Sequence, residues 1–434
     1  MKFVSTGGNA KSDSISEVLL RGAASDGGLY LPDHLPAPDW TELGADGSLA
    51  DFAGQFLEPF FAGDPLAKAL PDICAAAFDA PVPLVTPDPG RPQLQAVELF
   101  HGPTGAFKDF GARFLMGCFD RLGDAGHPLT VLAATSGDTG GAVGCAAEGM
   151  AAVRAIILFP KGRVSPFQER QLTCWRDPVQ ALEVEGDFDD CQRLVKAAFA
   201  DAQLTARHRL TSANSINLGR LLPQATYLAH AAARTFSRFG AKPGFVIPTG
   251  NLGHGFAAVL ARSMGAPIGP IRLSTNANRT LKDWSASGRY ASRPSVATLA
   301  NAMDVGAPSN FERLAALPNQ LHDLTVELVD DAAIKARIRS DFATSGYVWC
   351  PHSATAAEAF ARLPQDAQAE RPWILAATAH PYKFLETVEP LIGRTIDPPP
   401  ALAAIFDRPT AKRTIANDVP SLADALGSAT VAAP

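Results

Sequence analysis

Apolar residues recur along the chain at two periods, and the switching between them outlines a fold. Apolar runs of strand length fall at 94–100, 130–134, 155–159, 179–184, 245–248, 271–274, 324–329 and 373–377. Between them, apolar positions three and four apart predict helices, among them 189–202, 221–236, 256–264 and 331–342. Strand, loop and helix in alternation predict parallel α/β sheets, in which ligands gather at the carboxyl ends of strands. Ahead of this region, helical spacing over 14–20 and a turn with a short strand at 27–32 set residues 1–90 apart as an N-terminal unit. The proline-rich passage 81–92 reads as a linker. Residues 91–215 and 216–396 are then expected as two α/β lobes, and 397–434 as a less regular C-terminal tail.

One junction carries candidate chemistry. The strand pattern Leu94, Ala96, Val97, Leu99, Phe100 runs into Gly102-Pro103-Thr104-Gly105, and a helical segment begins close to Lys108. A lysine there faces the positive end of the helix dipole, where an acid is favoured. Phe107 and Phe110 flank it and withdraw water. Both effects disfavour the ammonium form and lower the pKa, which is what a lysine needs to form a Schiff base with an aldehyde. No other lysine is offered nearby in sequence. His101, beside the same loop, reads as a loop hydrogen-bonder.

Three further strand-to-helix loops suit a ligand. Thr135-Ser136-Gly137-Asp138-Thr139-Gly140-Gly141 offers hydroxyls and free N–H groups, which serve equally to hold an anion or to cap the helix. Pro248-Thr249-Gly250-Asn251-Leu252-Gly253-His254-Gly255 has neither the Walker A nor the dinucleotide spacing, yet its glycines allow a phosphate close to the backbone. Ser212 to Arg220 holds Asn214, Asn217 and Arg220, a set that grips a second anion or forms an Asx-turn beside a solvated arginine.

Composition narrows the classes. With 47% hydrophobic and 19% charged residues, the 434-residue chain reads as globular. A net charge of −6 gives no reason to expect nucleic acid or an anionic membrane, so an anionic ligand must be held by local groups. Six scattered cysteines without a CxxC pair match a reducing compartment. The polar N-terminus is not a secretory signal, and no apolar run reaches membrane-spanning length, so a cytoplasmic protein is expected. No metal-type histidine cluster and no GxSxG elbow occur.

Taken in order, FVSTGGNA, GAASDGGLYLP, ELFHGPTGAFKDFGARF, ATSGDTGGA, NSINLGRLLPQ, PTGNLGHG, ATLANAMDVGAPSNFERL and ATAHPYKF resemble the threonine synthases, in their bacterial and fungal branch. These are pyridoxal-phosphate enzymes of fold type II, the tryptophan-synthase-β-like family. The resemblance implies two parallel-sheet α/β lobes with the cofactor between them, plus an N-terminal unit. It implies that Lys108 carries pyridoxal 5′-phosphate, that Gly250, Asn251, Leu252 and Gly253 cradle its phosphate, and that Thr378 hydrogen-bonds its ring nitrogen. Asp138 would lie against the cofactor, Ser136 and Thr139 near the substrate, and Asn214 and Arg220 on the substrate phosphate. The implied reaction, the last step of threonine biosynthesis, converts O-phospho-L-homoserine and water to L-threonine and phosphate in a monomer. The competing reaction on the same lysine is a phospho-amino-acid lyase or dehydratase releasing a 2-oxo acid and ammonia. The chain departs from the family pattern at Gly105, Thr249, Leu252, His254 and Cys350, and its Ser-Thr-Gly-Gly opening lacks the usual arginine.

Overall fold

Strands whose side chains are apolar on both faces are stable only where helices cover both faces of the sheet. That is how the apolar runs are used in the computed structural model, which describes residues 1–40, 43, 47–135 and 137–428. One sheet has six strands, in the order Leu324–Leu328, Ile271–Thr275, Gly244–Pro248, Trp373–Ala377, Leu94–Glu98 and Leu84–Val85. All neighbours in it run parallel except the last pair. A second sheet, parallel throughout, orders Arg413–Ile415, Val179–Val184, Val153–Pro160, Leu129–Ala134 and Leu210–Thr211. Every residue of Gly244–Pro248, Trp373–Ala377 and Leu129–Ala134 is buried, as strands in the middle of covered sheets require.

The sheets do not follow one cut along the chain. Leu94–Glu98, expected with the first lobe, lies in the six-stranded sheet beside Trp373–Ala377. The passage read as a linker supplies the antiparallel edge strand Leu84–Val85. The tail is more regular than its composition implies. Its Arg413–Ile415 extends the five-stranded sheet, and Leu422, Ala425 and Leu426 bury against Cys191 and Leu194.

The N-terminal unit pairs Lys11–Ser12, Phe3–Ser5 and Tyr30–Pro32 antiparallel, forms the expected helix at Ile15–Arg21, and after the strands adds two more helices, Leu49–Phe61 and Leu70–Ala77. Phe52, Phe56 and Phe60 recur every fourth residue on the first of these and are buried, which joins the unit to the main core. The 22-residue helix Leu218–Phe239 packs against Leu49–Phe61, Lys108–Leu122 and Gly253–Ser263.

Three adjacent parallel strands, Leu94–Glu98, Trp373–Ala377 and Gly244–Pro248, open at the same sheet edge. Their following loops lead to Lys108, to Thr378 and to Gly250–Gly253. No described helix is long and apolar enough to cross a membrane.

Candidate active site

Lys108 is the first residue of the helix Lys108–Leu122, and no side chain caps that helix. Its amine lies deep in the protein, although the residue as a whole is half-buried. Burial lowers its pKa, Asp138 opposes the shift, and Arg220 and Lys383 add to it. The loop before it is pinned by Asp109. One carboxylate oxygen of Asp109 accepts from the Thr104 N–H at 2.9 Å and the other from its hydroxyl at 2.5 Å. The Phe107 N–H donates to the Thr378 carbonyl at 2.9 Å, which ties this loop to the one after Trp373–Ala377.

The departures from the family pattern have local causes here. Gly105 sits at φ +68°, and a Cβ there would come within 2.9 Å of Leu402, so the tail fills the space a larger side chain would take. His254 stacks on Phe107 at 4.7 Å and meets Tyr227 edge-on. Both its ring nitrogens are buried, and burial pulls it down to about 3 against the opposing effect of a hydrogen bond to the Pro248 backbone. Cys350 caps the helix Pro351–Ala361 through its sulfur, which accepts from the Ser353 N–H at 3.4 Å.

A second buried lysine enters the site, where sequence proximity offered none. Lys383 donates to the Thr104 carbonyl at 2.7 Å and to Gln171 Oε1 at 2.5 Å, and lies 3.1 Å from Asp138 Oδ1. Asp138 opens the helix Asp138–Ala147. Burial alone would raise its pKa, but Lys383, then Lys108 and His352, outweigh it and bring it down to about 2. His352 accepts from the Ala302 N–H at 3.1 Å through Nε2, leaves Nδ1 without a partner, and is brought by burial to about 4. Lys383 lies in the motif ATAHPYKF, where Pro381, Tyr382 and Phe384 flank it with largely apolar side chains.

The glycine loop after Gly244–Pro248 is shaped for close approach. A Cβ on Gly250 would lie 2.6 Å from Met303 Cα, and Leu252 adopts a left-handed φ of +64°, rare for a leucine. The Asn251 side chain is occupied structurally. Its amide donates to Ser215 Oγ at 2.6 Å and its oxygen accepts from the N–H and hydroxyl of Ser309. Among the described residues no hydrogen bond engages the N–H groups of Gly250, Asn251, Leu252 or Gly253, which point out of a helix start.

Arg220 is buried and without a carboxylate partner. It donates to the Ala213 carbonyl at 2.6 Å, its Nε has no partner, and burial lowers it to about 10. Arg313 shows the contrast: its guanidinium is fully used by Tyr30, Asn310 and Ile216, which makes it a strut. Of the two asparagines beside Arg220, Asn217 caps the helix Leu218–Phe239, while Asn214 is half-buried and its carbonyl accepts from the Asn217 N–H. Thr139 is half-buried one residue into the helix begun by Asp138. Thr378 is buried, and its hydroxyl lies 3.3 Å from that of Ser353. Ser136 lies outside the described residues. His101 Nε2 sits 2.7 Å from Glu98. The described residues contain no group of metal-ligating side chains.

These groups fit pyridoxal phosphate. A lysine biased toward its neutral amine, an amide cradle free for a phosphate and a buried guanidinium awaiting an anion are the complement such a cofactor and a phosphorylated substrate require. Residues 82–378 match the family model for pyridoxal-phosphate dependent enzymes, so the fold and the site define an enzyme of that class. Residues 2–78 match the threonine synthase N terminus, and 353–425 the threonine synthase C-terminal model. Threonine synthase from Serratia marcescens is 36% identical over 423 residues, 96% of each chain. Two solved structures superpose over nearly the whole chain. Threonine synthase from Escherichia coli has a TM-score of 0.88 at 34% identity, covering 99% of this chain and 100% of that one. Pyridoxal-phosphate-bound threonine synthase from Brucella melitensis has a TM-score of 0.90 at 33% identity, covering 100% of both. The chain belongs to the threonine synthase family.

Proposed function

We propose that this cleft converts O-phospho-L-homoserine and water to L-threonine and phosphate, with Lys108 as the catalytic and cofactor-bearing residue. What carries the reading is one juxtaposition: an amine held toward its neutral form at the same sheet edge as an unengaged row of backbone N–H groups. Gly250, Asn251, Leu252 and Gly253 hold the cofactor phosphate through the backbone. Thr378 presents its hydroxyl to the ring nitrogen, and a neutral hydroxyl there leaves that nitrogen largely unprotonated. The bound cofactor supplies an electron sink for negative charge developing on the substrate carbons.

The remaining steps belong to the chain's own groups. With cofactor and substrate bound, the Lys108 amine removes a proton from Cα and one from Cβ as base and, as acid, returns one to Cγ after phosphate has left it and one to Cα, so that Cγ becomes a methyl group. Arg220 and Asn214 hold the substrate phosphate and stabilise it as it leaves Cγ. Asp138 stays ionised and balances the Lys383 ammonium, with Ser136 and Thr139 beside the substrate. Water then adds at Cβ. The chain acts as a cytoplasmic monomer on a small phosphorylated amino acid.

The test is product analysis on O-phospho-L-homoserine with threonine, phosphate and 2-oxobutyrate all quantified. Threonine and phosphate in equal amounts are expected. Oxobutyrate as the main product overturns the assignment in favour of a dehydratase.

A further inference from the structure

A fully buried ammonium is retained in a fold only where its donors are matched, because an unpaired one is strongly disfavoured. Lys383 meets that condition with oxygens from three separate segments. Thr104 belongs to the loop before Lys108, Gln171 to the helix Pro166–Thr173, and Asp138 to the helix Asp138–Ala147 of the five-stranded lobe. Lys383 itself sits in the short 3-10 turn Pro381–Phe384, just after Thr378. The Thr104 carbonyl also accepts from Gln171 Nε2 at 3.0 Å, and Thr104 donates its N–H and hydroxyl to Asp109. Both chain directions from Thr104 are thereby fixed within four residues of Lys108.

We infer that Lys383 is a positioning residue which clamps the Lys108 loop to the start of the Asp138 helix and holds Asp138 as the counter-charge of the cleft. Its ammonium, shared among three oxygens, does not compete for an aldehyde. It acts through Asp138, whose carboxylate faces Lys383, Lys108 and His352 and lies in a region where burial by itself would favour the neutral acid. Without Lys383 the carboxylate loses its strongest stabilising charge and takes up a proton at higher pH. The mixed environment also explains why two lysines in one cleft differ in role. Lys108 has no hydrogen-bond acceptor among the described residues, whereas Lys383 has two, with the Asp138 carboxylate as an ion-pair partner at 3.1 Å.

The inference rests on Lys108 bearing the cofactor, and the experiment separates the two. The holoenzyme, Lys383→Met, Asp138→Asn and the double variant are compared by thermal melting and by titration of the cofactor's visible absorption from pH 9 to pH 4. Lys383→Met should melt well below the parent, and the double variant should melt above Lys383→Met, because it no longer buries an unpaired carboxylate. The parent, with Asp138 held at about 2, should show no acidic transition of Asp138 above pH 4, whereas one should appear above pH 4 in Lys383→Met. In the Asp138→Asn background the same lysine change should bring none. If Lys383→Met fails to fold and the double variant folds, the pairing is supported. A double variant no more stable than Lys383→Met, or a Lys383→Met absorption that shows no acidic transition beyond the parent's down to pH 4, overturns the inference. Borohydride reduction and peptide mapping report independently on the lysine. Cofactor found on a residue other than Lys108 overturns the functional reading, whereas the absence of that transition with cofactor on Lys108 overturns only the role of Lys383.

Discussion

Arg220→Met tests the electrostatics of the site most directly, because the substituent keeps most of the volume and removes only the charge and its donors. In the parent, burial brings the guanidinium from 12.5 to about 10, which corresponds to roughly 3 kcal/mol against the charged form. Its hydrogen bond to the Ala213 carbonyl returns about 1.5–3 kcal/mol. The two nearly cancel, so the variant's substrate-free stability should change by no more than about 1.5 kcal/mol. Catalysis should respond quite differently. Truncating one partner of a buried charge pair costs about 2–5 kcal/mol, so kcat/KM should fall between about 30-fold and several thousandfold. The assay is phosphate release from O-phospho-L-homoserine, with urea unfolding run alongside. Inorganic phosphate should raise the parent's Tm by preferential binding to the folded state and leave that of the variant unchanged. A fall of less than about threefold in kcat/KM, with phosphate protection retained, removes Arg220 from the anion site.

Three other outcomes are expected. Lys108→Ala should lose both turnover and the visible absorption of bound cofactor, and Lys383 should not take its place; substantial residual turnover refutes this. Gly250→Ala places a methyl 2.6 Å from the Met303 backbone, so the loop must shift and the Kd for pyridoxal phosphate should weaken by about tenfold or more, roughly 1.4 kcal/mol, read by fluorescence titration. An unchanged Kd would show that the cradle lies elsewhere. His254, at about 3 in the folded chain against 6.5 when free, is bound by protons more readily in the unfolded chain, so stability falls as pH drops below 6.5 and continues to fall toward 3. His254→Phe should therefore recover about 2 kcal/mol of the stability lost between pH 8 and pH 5 in urea titrations; an unaltered pH dependence refutes the buried neutral ring.

The parts of this molecule legible in its sequence are those whose physics is local. Parallel strands buried on both faces must be apolar throughout, so Val153–Pro160 or Trp373–Ala377 announces itself. The same holds for Lys108, whose dipole clash and phenylalanine neighbours lie within three residues of it. The helix Leu49–Phe61 escaped notice because Gly54 and Pro59 interrupt a clear fourfold recurrence of phenylalanine. Sheet membership was illegible for another reason. Leu94–Glu98 is next to Leu129–Ala134 in sequence order but pairs with Trp373–Ala377, a choice set by crossover topology. Asn214 and Asn217 carry the same side chain in one loop, yet Asn217 is the cap, its amide held by the Leu19 and Ser212 carbonyls while its oxygen accepts from the Gly219 N–H. Lys383 is the extreme case: its acceptors lie 279 and 212 residues away in the chain, so no window of sequence contains its role.

The overall charge of −6 and the charge of the cleft point in opposite directions, and the difference is informative. Lys108, Lys383 and Arg220 converge on a region where Asp138 is the acid held well below its usual range, while Asp109 is pushed up by burial and turned toward Thr104. A protein interior tolerates such a positive surplus only if something anionic completes it or each cation finds neutral acceptors. Arg313 takes the second course with backbone and amide oxygens, and Lys383 combines such oxygens with the Asp138 carboxylate. Arg220 and the amides of Gly250–Gly253 do not, and they lie at the mouths of two different loops. Two demands for negative charge in one site with a poised amine therefore suit the two phosphates of the proposed reaction, one resident and one arriving with the substrate, and a ligand bearing a single anion would leave one of them open.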